Sequence, residues 1–441
     1  MRSMVLLKTF ARFALLTFSA TLVCQFPSAS MAQGNRSPLI GVIHSTGQKR
    51  FTERTVIAAS GLKPGQIFDV NAIEAATQKL GQSGAFDEVQ FKYRPDNGKM
   101  SVEFVVKEAA RFHSCTYDNF VWASSKEIDD FVRGELPLFD DYAPEAGNLP
   151  DDIASSLERF LQQRGITGHV ERVQFGRTIS DPNWEHLYSV NGPIIKVRSV
   201  MFQGVKGIDE GLLQKEAKPL VGRNYSFVEC RRYAEASFVP VYRERGFLRV
   251  SIGNPAGQVS TQTAGSNEFA IQVSYPVEEG LAYDWETAKW DGNHAESTYD
   301  LDALLSMKHG ERANGKKLAA GWEAIQAAYG KKGYLEARLK PDAVYDDASH
   351  KLELHVLVTE GPQYKMGDFS AKGVPVQTSE RLKSRWKLRS GDIYDASYMK
   401  EFLKTQMGTA LVGSDGKTPK IQTTVRPDRT THMVDVLIEV Q

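Results

Sequence analysis

Residues 80–91 read LGQSGAFDEVQF. Leu80 closes a helical stripe, Gly84 stops the helix, and Phe86 follows. From Val89 onward apolar and polar residues alternate. This is a helix handing over to a strand, because the spacing of buried side chains shortens from about 3.6 residues to about 2. The same punctuation returns as LQQRGITGHV at 161–170, YRERGFLRVSI at 242–252 and YGKKGYLEARL at 329–339. The marker glycines Gly84, Gly165, Gly246 and Gly333 are 81, 81 and 87 residues apart. One more step reaches Gly413, in TALVGSDG, where a faint fifth copy is expected. A period this long predicts small domains with their own cores, not a solenoid of bare helical hairpins.

Working outward from the marker, residues 38–108 form the first unit. A strand is expected at 39–43 and a helix at 52–60, stopped by Gly61. Asp69 caps a second helix whose stripe is Val70, Ile73, Ala76, Thr77 and Leu80. After Gly84, Val89, Phe91 and Tyr93 mark one strand. Asp96-Asn97-Gly98 is a hairpin turn, and Met100, Val102, Phe104 and Val106 mark the closing strand. The order strand, helix, helix, strand, strand predicts an α+β fold: a three-stranded sheet with two helices on one face. Further units are expected at 111–191, 193–279, 282–361 and 362–441, giving five in a jointed rod. The second is degenerate, with a capping box at Ser124 and Glu127 and a proline-rich loop before its second helix. The third carries a polar insertion over 254–267 in its last hairpin.

The chain has 441 residues, 41% hydrophobic and 24% charged, with 54 basic and 54 acidic side chains. A formal net charge of zero removes any bulk electrostatic case for nucleic acid. Arg2, Lys8 and Arg12, the short apolar run 13–23 and Ser30-Met31-Ala32 form the pattern of a secretory signal peptide over 1–32. The run is too short to span a membrane comfortably, and no later segment is apolar enough to do so. Cys115 and Cys230 then remain. Export would permit a disulfide, but their placement in different units favours two separate buried thiols.

The repeat resembles the POTRA (polypeptide-transport-associated) domain. The resemblance rests on Gly65-Gln66-Ile67-Phe68, on LGQSGAFDEV at the end of the second helix and on VEFVVKE at the close of the unit. Equivalent turns are Gly222-Arg223-Asn224-Tyr225-Ser226 and Gly391-Asp392-Ile393-Tyr394-Asp395. Five copies behind a signal peptide are similar to the periplasmic arm of the bacterial outer-membrane barrel-assembly factor. That implies a periplasmic protein, peripheral to the outer membrane, whose partners are unfolded outer-membrane proteins or an outer-membrane barrel and its assembly complex. The family continues into a barrel. No barrel strands follow Gln441 here, so binding and scaffolding are the expected roles.

No catalytic constellation is legible, and no cofactor or metal is expected. GERANGK at 310–316 nearly spells a phosphate-binding loop, but Lys317 stands where Ser or Thr must hold Mg²⁺, and the context is a turn between helices. His350 and His355 fall on opposite faces of a strand. What remains is surface. A strand edge can accept an extended peptide through backbone bonds, which suits clients defined by being unfolded. Lys92 and Arg94 in the first unit, and Lys340 with Pro341 in the fourth, guard their edges. In the third, Leu248, Arg249, Val250, Ser251 and Ile252 are less guarded and form the candidate strand-addition edge. The competing reading is a structural scaffold of the envelope that links complexes without handling clients.

The leader reading sets a first test. N-terminal sequencing of the exported protein should begin at Gln33, and a mature chain that retains residues 1–32 would contradict it.

Overall fold

The computed structural model describes residues 38–176, 181–262, 266–407 and 421–440. The expected leader and the expected marker Gly413 lie outside the described residues. The fold is α+β, and five small sheets follow one another along the chain.

In the first segment β1 (Ile40–Thr46), α1 (Glu53–Ser60), α2 (Val70–Gln82), β2 (Phe86–Asp96) and β3 (Lys99–Glu108) give a sheet in the order β1-β3-β2. The central strand β3 is parallel to β1 and antiparallel to β2. The local signals act as expected. Asp69 caps α2 by accepting from Asn71 N–H, and Gly61 ends α1 at φ +78°; Thr52, expected as the first residue of α1, is instead its cap and accepts from Thr55 N–H. Asn97 and Gly98, both at positive φ, turn β2 into β3. Ile73, Ala76 and Leu80 of α2 are buried, as are Val102, Phe104 and Val106 of β3.

The second segment has β4 (Phe112–Tyr117), α3 (Ser125–Glu135), β5 (Tyr142–Pro144), α4 (Leu149–Gln163), β6 (His169–Phe175) and β7 (Glu185–Asn191). The third has β8 (Ile194–Gln203), α5 (Glu210–Ala217), α6 (Phe227–Tyr233), α7 (Val239–Arg243), β9 (Ser251–Ile252), β10 (Ala256–Gln262) and β11 (Glu268–Glu278). The fourth has β12 (Asp284–Asp291), α8 (Thr298–Leu305), α9 (Gly315–Lys331), β13 (Arg338–Asp346) and β14 (Lys351–Thr359). The fifth has β15 (Lys365–Lys372), α10 (Val376–Arg385), α11 (Tyr398–Phe402), β16 (Ile421–Asp428) and β17 (Met433–Val440). The fourth and fifth repeat the first, as β12-β14-β13 and β15-β17-β16.

Three expectations are corrected. The second sheet has four strands, β5-β4-β7-β6, because the proline-rich loop contributes β5 to its edge. The third also exceeds three strands, since both β9 and β10 pair with β11. The polar insertion is not simply an extended loop, for β10 lies inside it. Its polarity hid the strand, because only Gly257 and Val259 turn partly inward while the other five residues are exposed.

One contact pattern explains why the glycine turn between the helices recurs. In the first segment Gly65 N–H donates to Ile40 C=O (2.8 Å), Phe68 N–H donates to Pro38 C=O (2.7 Å), and Ile40 N–H donates to Gln66 C=O (2.7 Å). The third, fourth and fifth segments repeat all three bonds, beginning with Gly222 to Val197, Gly310 to Trp285 and Gly391 to Met366, each 2.8 Å. The inter-helix turn is thus a latch on the entry of the first strand. It satisfies backbone groups that no neighbouring strand reaches. This also gives Gly310 to Lys316 their role: the stretch is the latch of the fourth segment, and Asn314 caps α9.

In the first, third and fourth segments the glutamate that closes the unit works on the far end of the first strand. Glu108 accepts backbone N–H bonds from Lys49, Arg50 and Phe51, and Glu279 accepts from Lys206 and Gly207. Glu360 accepts from Ala295. Burial pushes the Glu108 carboxyl up, but the three backbone bonds and the Arg50 charge outweigh it and leave the group below its ordinary range.

Two glycines of the fourth segment separate strain from crowding. Both Gly292 and Gly310 sit at φ +79°. A Cβ on Gly292 would lie 2.3 Å from Val358 C=O, whereas one on Gly310 would meet nothing within 4 Å. Gly310→Ala should cost about 1 kcal/mol, the price of a left-handed non-glycine residue. Gly292→Ala must also displace the closing strand and should cost clearly more. Native-state hydrogen exchange in β14 measures both, and equal losses of protection would contradict the crowding argument.

Candidate functional site

The predicted edge residues divide between two roles. Leu248, Arg249 and Val250 are not strand. Leu248 N–H bonds back to Gly246 C=O and Val250 N–H to Phe247 C=O, which folds the stretch into a turn. Only Ser251 and Ile252 pair, with Glu278 and Val277 of β11. The apolar alternation that suggested a strand has another cause. Val250 is buried, and Leu248 packs against the apolar cluster of the fourth segment. The same turn follows Gly333, with Leu335 bonded to Gly333 and Ala337 to Tyr334.

Arg249 belongs to the joint between the third and fourth segments. Its guanidinium bonds Asp347 (2.6 Å), contacts the Tyr283 hydroxyl, and lies over the rings of Tyr283 and Tyr345. The Tyr283 hydroxyl also donates to Asp347 (2.6 Å). These hydrogen bonds, Tyr283 first and Arg249 next, hold the Asp347 carboxyl below its ordinary value. The backbone continues the joint, for Tyr283 N–H donates to Gly246 C=O (3.0 Å) while Tyr283 C=O accepts from the latch at Ala313.

The next joint uses the same positions with reversed charge. Tyr364 N–H donates to Gly333 C=O (2.8 Å), and Tyr364 C=O accepts from the latch at Tyr394. Glu336 lies three residues after Gly333, as Arg249 lies three after Gly246. Glu336 accepts from the Tyr364 hydroxyl (3.1 Å) and from Arg429 Nε (2.7 Å), at the hairpin tip where the previous joint has Asp347. The earlier joints are built otherwise. Arg50 pairs with Asp140 and stacks on Phe112 and Tyr142. The Asp118 carboxylate reaches across to Ser226 Oγ (2.8 Å) and Val228 N–H (3.0 Å), at the start of α6.

The free edge of the third sheet is therefore β9 followed by β10. Gly253 N–H to Pro276 C=O (2.8 Å) bridges the break between them. β10 is the outermost strand, and its residues AGQVSTQ include no charge and no proline. The corresponding outer strands do not share this. β2 carries Lys92, Arg94 and Pro95, β6 carries Glu171 and Arg172, β13 carries Lys340 and Pro341, and β16 carries Arg426 and Pro427. Charge and proline blunt an edge against added strands, so β10 is the least guarded of the five. Val121 of the second segment and Tyr225 back its start at Gly257. Sequence reasoning placed the edge a few residues too early. The signal it passed over was the lack of charge across 256–262.

Among the described residues no group of His, Cys, Asp and Glu is arranged to hold a metal, and no helix is long and apolar enough to cross a membrane. His355 and Lys289 bond Glu353 on an exposed face. Cys115 and Cys230 are both free thiols, and burial raises both above the ordinary thiol range.

The reversed joints set a test. Arg249→Asp should place two carboxylates together, loosen the third-to-fourth joint and broaden the distance distribution between spin labels on the two segments. Adding Asp347→Arg should narrow it again. A single variant with the parent's distribution would show that the side chains do not fix the joint.

The POTRA family, described as "Surface antigen variable number repeat", matches residues 38–109 and 285–361. A Treponema pallidum protein, named by inference an outer membrane protein assembly factor, is 25% identical over 252 residues. That match covers 56% of this chain and 29% of the relative, so the chain spans less than a third of the relative's length. The crystal structure of POTRA3-5 of Haemophilus influenzae BamA is 20% identical, covering 57% of this chain and 98% of that one, with a TM-score of 0.45. POTRA4 of the same protein is 29% identical over 19% of this chain and 95% of that one, with a TM-score of 0.17. The chain is thus a tandem α+β array with POTRA sequence at 38–109 and 285–361, and it resembles the POTRA arm of an outer-membrane assembly factor.

Proposed function

We propose that this chain is an exported, periplasmic protein-binding array of five POTRA-like units, at 38–108, 111–191, 193–279, 282–361 and 362–441, that assists outer-membrane protein assembly. Its clients are unfolded outer-membrane segments, held by strand addition. The observation that carries the reading is β10: an outermost strand without charge or proline, beside four that have both or one of them. Backbone pairing reads extension and not sequence, which matches clients that share only the unfolded state. The role is binding rather than catalysis. Of the residues first expected to form the edge, Ser251 and Ile252 extend the docking strand, Leu248 and Arg249 hold the joint behind it, and Val250 is buried in the core.

Proline scanning tests the edge. Alternate N–H groups of an outer strand point away from its partner, and proline at such a position leaves the strand intact. One of Gln258→Pro and Val259→Pro should therefore leave circular dichroism unchanged and still weaken binding of an extended outer-membrane peptide. Losing one ladder bond of about 1 kcal/mol lowers affinity about fivefold. The other variant should perturb the sheet. A folded proline variant that binds as tightly as the parent rules out pairing at β10. If the parent binds no such peptide, the envelope-scaffold reading replaces this one.

A further inference from the structure

The fifth segment carries a charge asymmetry that the strand-edge reading does not use. Residues 362–441 hold 13 basic and 9 acidic side chains, in a chain whose total charge is zero. Five of the basic ones, Arg381, Lys383, Arg385, Lys387 and Arg389, alternate through nine residues at the end of α10 and just beyond it, and all five are exposed. Cations at a helix C-terminus are favoured by the helix dipole, which accounts for Lys383 and Arg385 but not for Lys387 and Arg389 beyond the end. Among the described residues, Lys383, Lys387 and Arg389 form no ion pair.

These three side chains line a shallow open groove with Ser384, Trp386 and one carboxylate, Asp368. Trp386 is only 8% exposed, is stacked on Phe369 with centroids 4.3 Å apart, and its indole N–H has no acceptor. The Ser384 hydroxyl is committed to Arg381 C=O (2.9 Å), so the three unpaired cations are what favour an anionic group at this groove.

We infer that this groove and its flanking cations form a docking surface for the phosphate headgroups of an anionic phospholipid membrane. A membrane surface is favoured over a folded acidic partner because the cations form a diffuse row at the ends of long side chains. Such a row requires density of opposite charge and no matching shape. The surface lies in the last segment and is independent of the strand edge in the third, so either can fail without the other.

The test is co-sedimentation of the full chain with vesicles of phosphatidylcholine, with and without phosphatidylglycerol. The parent should bind only the anionic vesicles and should be released by salt, since exposed charges are screened. Each cation near an anionic surface is worth roughly fivefold in partitioning, so Lys383→Gln/Lys387→Gln/Arg389→Gln should lower it about a hundredfold. The matched loss of charge in Lys92→Gln/Arg94→Gln/Lys99→Gln, on the first segment, should change it little. A parent indifferent to phosphatidylglycerol overturns the proposal, and so do equal losses in both triple variants. Inorganic phosphate quenching an indole signal that disappears in Trp386→Phe, with no vesicle binding, would mark a free-anion site and also overturn it. Binding of polyglutamate but not of anionic vesicles would assign the surface to an acidic protein instead.

Discussion

Backbone hydrogen bonds from the inter-helix turn to the entry of the first strand are the constraint on which the rest of this structure depends. A three-stranded sheet with two helices leaves the start of its outer parallel strand without a neighbour. The latch at Gly65, Gly222, Gly310 and Gly391 supplies one, with the same three bonds each time. It fixes where the helices lie over the sheet, and hence which side chains are buried. The second segment is held differently, with β5 at the edge of its sheet and His186 fully buried in its interior. Burial first, and the nearby Arg172 next, pull that histidine down to about 4, so it packs as a neutral ring at ordinary pH.

The latch also reaches into the joints. At Tyr283 and at Tyr364 the backbone of one residue faces two ways: its carbonyl accepts from its own latch and its N–H donates to the marker glycine of the preceding segment. The internal geometry of the fourth and fifth segments is thereby tied to their orientation on the segment before. The side chains around these tyrosines then distinguish the two joints. Arginine precedes and aspartate answers at one, and glutamate precedes and arginine answers at the other. Like charges would meet if the third segment were followed by the fifth, or if the fourth were repeated with the wrong partner, so the clasps favour this order of units. Their exposure limits what each contributes to stability, and their value is in orientation.

Much of this was legible in the sequence because it follows local rules. The helix caps at Asp69 and Ser124, the Asn97-Gly98 turn, and the helical and strand stripes of the first and fourth segments depend on neighbours within a few residues. The latch glycines were visible as a repeat, although their role was not, because their partners lie some 25 residues away in the chain. The free edge of the third sheet was misplaced for a physical reason. Leu248 is apolar because it packs on the fourth segment and Val250 because it enters the core of its own side of the joint, and alternation over five residues cannot separate that from a strand. The real outer strand, β10, buries so little that it carries no apolar stripe. An edge open to a partner must look polar and unguarded in sequence, which makes it hard to tell from a loop.

The most direct test of the central claim is hydrogen exchange across the outer strands, with and without an unfolded outer-membrane peptide. If an extended client adds to β10, alternate amides over 256–262 should exchange quickly in the free protein and become protected in the complex. The amides of β13, behind Lys340 and Pro341, should not change. Protection that is absent from 256–262, or equal along all five outer strands, would contradict the account.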